Sequence, residues 1–216
     1  SRVGAGAAAA TSTLNPVAGD NQAFVASYTT VKWTGNLEAR SIDTTTGAVS
    51  QSAIWCAEDV AASALGATAC SGTMASKVGP SSDSRTIYMK SGANLQSFNY
   101  TNLGTAGLSS YFDSGYLSSH LSQWGSLTSS QQTLAAGANL VNYLRGQYGY
   151  DDRSTNTDGL YRFREAVLGD ATESKPAFVG KPTFSYADPG YSAFVAAKAS
   201  RSGVVYLGAN DGMMHA

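Results

Sequence analysis

Gly203-Val204-Val205-Tyr206-Leu207-Gly208-Ala209-Asn210-Asp211-Gly212-Met213-Met214-His215-Ala216 is the stretch whose reading decides the fold. Val204–Leu207 is a short apolar run, β-branched and aromatic, and reads as a strand. Asn210-Asp211-Gly212 is a turn signal, because these residues tolerate the positive φ that tight hairpins demand. Met213–Ala216 begins a second strand and stops. A strand that stops just past its turn does not complete a sheet, so the chain is expected to be a fragment that works as part of something longer.

Working outward, the same strand–turn–strand unit is expected twice more. Ala23–Trp33 is rich in β-branched and aromatic residues and reads as a strand, with a turn over Trp33–Asn36. Leu37–Asp43 alternates apolar and polar residues, as a half-buried strand does, and Ala48–Trp55 follows a turn over Thr44–Gly47. Arg85–Met89 and Leu95–Phe98 flank Ser91-Gly92-Ala93-Asn94 in the same way. The spacing of Gly35, Leu37, Ala39, Asp43, Gly47 and Trp55 resembles the pattern of quinoprotein-type β-propeller blades. That resemblance implies that Gly35 opens a strand close to its neighbour, that Asp43 and Gly47 shape the turn, and that Trp55 packs between blades. Propellers avoid open sheet edges by radial repetition.

Residues 99–160 break the β pattern. Leu117–Trp124 reads as a short helical turn. Ser129 and Gln132 have the spacing of a capping box, and Leu134, Ala138, Val141 and Leu144 recur at helical spacing. One amphipathic helix is expected over Ser130–Arg145, closed by Gly146, with Leu134, Val141 and Leu144 buried. Gly/Ala-rich residues 1–19 read as a linker or irregular edge, having no apolar periodicity to bury. The expected fold class is thus mainly β. It is a partial β-propeller, an incomplete fragment, in which residues 20–216 form the N-terminal part of the propeller domain. A helical insertion is expected at about 113–146.

The C-terminal stretch also carries a family resemblance. Tyr206–Ala216 resembles the Gly-Ala-Asn-Asp-Gly signature of the PilY1/PilC family of type IV pilus biogenesis and tip adhesin proteins. Phe163-Arg164-Glu165-Ala166-Val167-Leu168-Gly169-Asp170, continued by Ser174 and Pro176, resembles a second family stretch. Val141–Gly146, Val179–Pro182 and Tyr191–Phe194 follow in the family's order. The resemblance is tight over roughly residues 140–216 and loose over 30–60.

Composition bounds the chemistry. Net charge is −1 and only 13% of residues are charged, which speaks against a nucleic-acid surface built from clustered Lys and Arg. No run of about 18 apolar residues occurs, so no membrane span is expected. The N-terminal residues lack a charged n-region and Met and do not read as a signal peptide, which a fragment or a processed chain explains as well as a cytoplasmic protein would. Abundant Gly, Ser, Thr and Ala, with 12 Tyr and few Lys, resemble a secreted β-rich surface protein. In that setting the two cysteines, Cys56 and Cys70, are expected to form one disulfide. It would be worth about 3 kcal/mol in the chain-entropy account, and two buried free thiols are the alternative.

No catalytic, cofactor-binding or metal residues are assigned. His120 and His215 are the only histidines, and no nucleophile elbow, phosphate loop or zinc helix occurs. His215, inside a strand, reads as packed and hydrogen-bonded. Asp152, Ser154, Asn156 and Asp158 alternate as a calcium loop begins. Thr157 stands where such a loop needs Gly, however, and Phe163 where it needs Glu, so a solvated turn is the reading taken. Arg162, Arg164, Glu165 and Asp170 read as charges that satisfy one another and turn carbonyls.

The resemblance implies a non-enzymatic protein of the type IV pilus tip, promoting pilus assembly with minor pilins and mediating adhesion to a host or abiotic surface. It implies export through the periplasm to the extracellular pilus tip or cell surface. The remainder of its own polypeptide would be a partner, and calcium would belong to a part of the propeller outside this chain. The alternatives are a quinoprotein-like propeller dehydrogenase, which needs a cofactor pocket these residues do not supply, and a generic secreted binding propeller.

Overall fold

The structure, a computed structural model, describes residues 5–11, 21–58, 70 and 72–216, with the backbone alone over 5–11. In chain order the elements are β1 (Ala5–Thr11), β2 (Gln22–Thr29), β3 (Thr34–Ile42), β4 (Val49–Cys56), β5 (Tyr88–Ser91), β6 (Asn94–Ser97), α1 (Tyr100–Thr105), α2 (Ser114–His120), α3 (Ser129–Leu134), α4 (Ala138–Leu144), β7 (Ala177–Val179), α5 (Tyr191–Ala197), β8 (Val204–Gly208) and β9 (Met214–His215). They form small antiparallel sheets with a few short helices, in two compact units. One joins the chain up to Thr73 with Leu168–Ala216; the other is Met74–Val167.

The first unit holds a four-stranded meander, β1-β2-β3-β4, and a three-stranded sheet, β7-β8-β9. β2 is buried over Ala23–Ser27 without alternation, so both faces of the strand are covered. β1 pairs with β2 along its whole length, from Ala5 opposite Thr29 to Thr11 opposite Ala23. The stretch expected as a linker or irregular edge is therefore a regular edge strand over Ala5–Thr11, paired with β2. The rest of 1–19 lies outside the described residues.

The β2–β3 reversal differs from expectation. β2 ends at Thr29, short of Trp33, and the turn occupies 30–33, with Val31 and Trp33 at φ of 72° and 54°. Gly35 is thereby released from the turn and lies within β3, where the backbone of Gly169 approaches it. Gly35 N donates to Leu168 O at 3.1 Å, and a Cβ at Gly35 would stand 2.1 Å from Gly169 O. The next turn is as expected: the Asp43 carboxylate accepts the N–H groups of Thr45 and Thr46 at 2.9 and 2.8 Å. Trp55 is 38% exposed beside Phe24, with ring centroids 6.2 Å apart. It sits on an edge strand, which leaves one flank of the indole uncovered.

The sheet of β7, β8 and β9 packs through Phe178, whose ring stacks on Phe24 of β2 at 5.2 Å. Leu37, Ala39, Leu168, Val205 and Leu207 are buried in the same unit.

The second unit contains the β5–β6 hairpin as a separate two-stranded sheet, together with α1–α4. Leu117, Trp124 and Ala135 form its core, with Leu127, Ala136, Leu140, Leu160 and Tyr161 packed around them. The single helix expected over Ser130–Arg145 is two helices, α3 and α4. Gly137 between them adopts φ 62° and ψ −129°, a conformation that ends α3 and re-aims the chain. The capping box is real but one residue earlier: Thr128 caps and Gln131 reaches back. That register frees Gln132 to donate to the Trp124 and Leu127 carbonyls at 3.0 and 3.3 Å. Val141 is fully buried, whereas Leu144 is 37% exposed, because the break rotates the second helix away from the face that a continuous helix would present.

Candidate functional site

Two of the sequence signatures meet at one junction of the first unit. Leu168-Gly169-Asp170 precedes β7, and Asn210-Asp211-Gly212 is the turn between β8 and β9. The Asp211 carboxylate accepts the Gly169 N–H at 3.0 Å and the Met213 N–H at 3.0 Å, and pairs with His215 Nε2 at 2.9 Å. Asp170 answers from the other side: its Oδ1 accepts from Asn210 Nδ2 and from the Thr172 hydroxyl, each at 2.7 Å. The Asp170 carbonyl accepts the Asn210 N–H at 2.9 Å. A Cβ at Gly169 would lie 2.6 Å from Asp211 N, so the two segments meet only because residue 169 has no side chain.

Burial alone would raise the pKa of Asp211. The hydrogen bonds from His215 and Gly169, the His215 charge and the Met213 N–H together outweigh burial and hold the carboxyl below its ordinary value. The carboxylate thus ties the β8–β9 turn to the Gly169 backbone and to His215.

Behind this junction lies a buried polar chain that the sequence reading missed. Arg40 is fully buried and pairs with Glu38, Nε to Oε2 at 2.8 Å and Nη2 to Oε2 at 2.5 Å. Asn36 Nδ2 donates to Glu38 Oε1 at 3.2 Å, while its Oδ1 accepts the N–H of Glu58 at 2.9 Å. Glu58 then accepts the Leu168 N–H at 2.8 Å. The signal was present, since Asn36, Glu38 and Arg40 share one strand face at period two. The sequence reading puts Asn36 in the preceding turn, and Glu38 and Arg40 on the polar side of a half-buried strand. Cys56 and Cys70 flank Glu58 with Cα atoms 5.9 Å apart, a separation at which a disulfide closes.

In the second unit the expected loop residues do not converge on a cation. Asp152 Oδ1 accepts the Phe163 N–H at 2.5 Å. Asn156 Nδ2 donates to the carbonyls of Tyr148 and Asp151 at 2.7 and 2.8 Å. The buried acid is instead Asp151, which holds Arg153 through both carboxylate oxygens at 2.7 and 2.8 Å. Arg153 lies over the Tyr148 ring at 3.7 Å, beside a cavity of about 200 Å³ also lined by Val78, Phe163 and Val167. Among the described residues no group of three His, Cys, Asp or Glu side chains is placed to hold a metal. Arg164 stacks on Tyr143 at 4.0 Å and donates to its carbonyl. His120 stacks on Tyr116 at the surface and meets the Tyr116 carbonyl at 2.8 Å. Asp83, almost fully buried, binds Arg85 and Arg145 at 2.9 and 3.1 Å.

The fold and junction define a small-sheet protein whose motif charges act on its own backbone. Its relatives give the family. The chain is 30% identical over 203 residues, 89% of its length, to a protein of Xylella fastidiosa strain Temecula1 named type IV pilus biogenesis factor PilY1 homolog. It is 38% identical over 111 residues, and 36% over 124 residues, to the type IV pilus biogenesis factors PilY1 of Pseudomonas aeruginosa strains PAK and UCBPP-PA14, covering 43% and 53% of the chain. The chain belongs to the PilY1 family. It spans 12%, 9% and 10% of the lengths of those three relatives. No family model matches the sequence, and no solved structure matches it. No described helix is long and apolar enough to cross a membrane.

Proposed function

We propose that the chain is one segment of a larger, non-enzymatic type IV pilus biogenesis factor. It acts at the pilus tip or cell surface, where it promotes assembly with minor pilins and mediates adhesion. Its antiparallel hairpins contribute blades to a β-propeller that the rest of the polypeptide completes. Cys56 and Cys70 form a disulfide suited to an exported protein.

The observation that carries this reading is the kinship to proteins named as pilus biogenesis factors. The junction supports it from the chemical side. The residues of the family signatures, Gly169, Asp170, Asn210, Asp211 and His215, are committed to holding two turns together. A binding and display protein needs such a rigid frame, whereas an enzyme needs groups left over for substrate.

The test is deletion of the gene in its type IV-piliated host, followed by counting surface pili and measuring attachment. Loss of pili, restored by the gene in trans, is expected. Normal piliation and attachment in the deletion strain would overturn the reading. Mass spectrometry of exported protein without reductant checks the disulfide, which two free thiols would exclude. A quinone-type absorbance in the purified protein would favour the dehydrogenase alternative.

A further inference from the structure

Between β7 and β8 the chain makes an excursion over residues 181–202 that is pinned at its base and uncovered at its tip. Gly180 and Gly203 close the base over the Phe178 ring. A Cβ at either would stand 2.7 or 2.6 Å from that ring, which itself stacks on Phe24. Above this anchor, Phe184, Tyr186, Tyr191 and Phe194 form a continuous chain of ring contacts, with centroids 5.7, 5.0 and 5.8 Å apart. Phe184 and Tyr186 are two apart in the stretch before α5, and Tyr191 and Phe194 are three apart on α5 and so share one side of it.

Much of this face is open among the described residues. Phe184, Tyr186 and Phe194 are 51%, 55% and 42% exposed. Helix α5, Tyr-Ser-Ala-Phe-Val-Ala-Ala, is apolar nearly all round and yet has no buried residue. A helix of that composition is normally covered. Aromatic clusters with Arg at their margin are what buried centres of protein interfaces are made of, and Arg201 lies over Phe194 at 5.9 Å. The rings are tilted or edge-to-face relative to one another, at 34°, 75° and 40°. They offer a knobbed surface to interdigitating side chains and not a flat platform for a sugar.

We propose that this face is a docking surface for another part of the same longer polypeptide, one that presents apolar side chains rimmed by carboxylates. The inference rests on the reading of the chain as a segment of a larger factor. The relatives leave ample chain to supply the occupant, since the match spans only 9–12% of their lengths. Charge chooses its chemistry. Residues 181–202 carry Lys181, Lys198 and Arg201 against the single acid Asp188, in a chain whose net charge is −1. A second copy of the same face would set cations against cations, which disfavours self-association through it.

Hydroxyl-radical footprinting of the full-length polypeptide, native against urea-unfolded, tests the proposal. Tyr186, Tyr191 and Phe194 are expected to react several-fold more slowly in the native protein, and Phe194→Asp is expected to restore the reactivity of Tyr186. Lys198→Glu is expected to raise it partway. Equal reactivity in native and unfolded protein would overturn the proposal. Protection that fades on dilution, or that needs an added pilin or cell surface, would also overturn it, by assigning the face to a second copy or an external partner. The readout needs no pilus function, so a failed piliation test and a failed footprint are separately visible.

Discussion

The junction of Leu168–Asp170 with Asn210–His215 and the excursion over residues 181–202 belong to the same unit, yet they use their side chains in opposite ways. At the junction, polar side chains turn onto the chain itself, and every charge meets backbone or a partner. In the excursion, apolar rings turn outward and pack against one another, with Arg201 at their margin. Polarity therefore does not tell inside from outside in this protein. What separates the two regions is satisfaction: the junction is complete within the chain, while the excursion leaves its apolar surface uncovered.

The comparison can be broken most severely at Gly35. Gly35→Val places a Cβ against the Gly169 carbonyl, and overpacking against backbone should cost about 3 kcal/mol or more. A loss of the cooperative transition, or a large fall in its midpoint, is expected in denaturant titration. Unchanged stability would mean that β3 and the Leu168–Asp170 segment do not meet. Asp211→Ala strands the Gly169 and Met213 N–H groups and should cost about 1–3 kcal/mol, read as a smaller shift of the same midpoint.

Acid should sharpen the contrast. The Asp211 pKa is lowered in the folded protein. Its contribution is therefore fully present above the ordinary carboxylate value near 4 and fades as pH falls below that, through the folded pKa. Asp211→Asn should flatten this part of the pH profile. A variant whose profile between about pH 2 and 5 matches the parent would remove Asp211 from the junction's energetics. The smallest effect on stability is expected in the excursion. Tyr186→Ser should move the midpoint by about 0.5 kcal/mol or less, as exposed substitutions do. A large destabilisation would show that the face is already covered within this chain.

Much of the junction was legible as turns, because Asn-Asp-Gly has a conformational signature that needs no tertiary context. The partners of those turns were not legible, because they lie about 40 residues apart in sequence. The β3 face was misread for a physical reason. Glu38 and Arg40 alternate with apolar residues as a solvent face would, and Asn36 reads as part of a turn, but a polar set that satisfies itself can be buried. The helix over Ser130–Arg145 was overextended because periodicity ignores a single left-handed glycine. One consequence is testable: Leu144→Asp, on the exposed side, should cost little, while Val141→Asp should cost several kcal/mol. The Gly/Ala stretch was passed over because β1 is fixed by pairing with β2 and carries no pattern of its own.

The central claim is that the two signature segments form one interlocked structure. A double-mutant cycle with Asp170→Ala and Asn210→Ala tests it most directly, since these side chains meet at 2.7 Å. The account predicts that the double variant loses less stability than the two single losses added together, with a coupling of about 1 kcal/mol. Losses that add to within about 0.3 kcal/mol would contradict it.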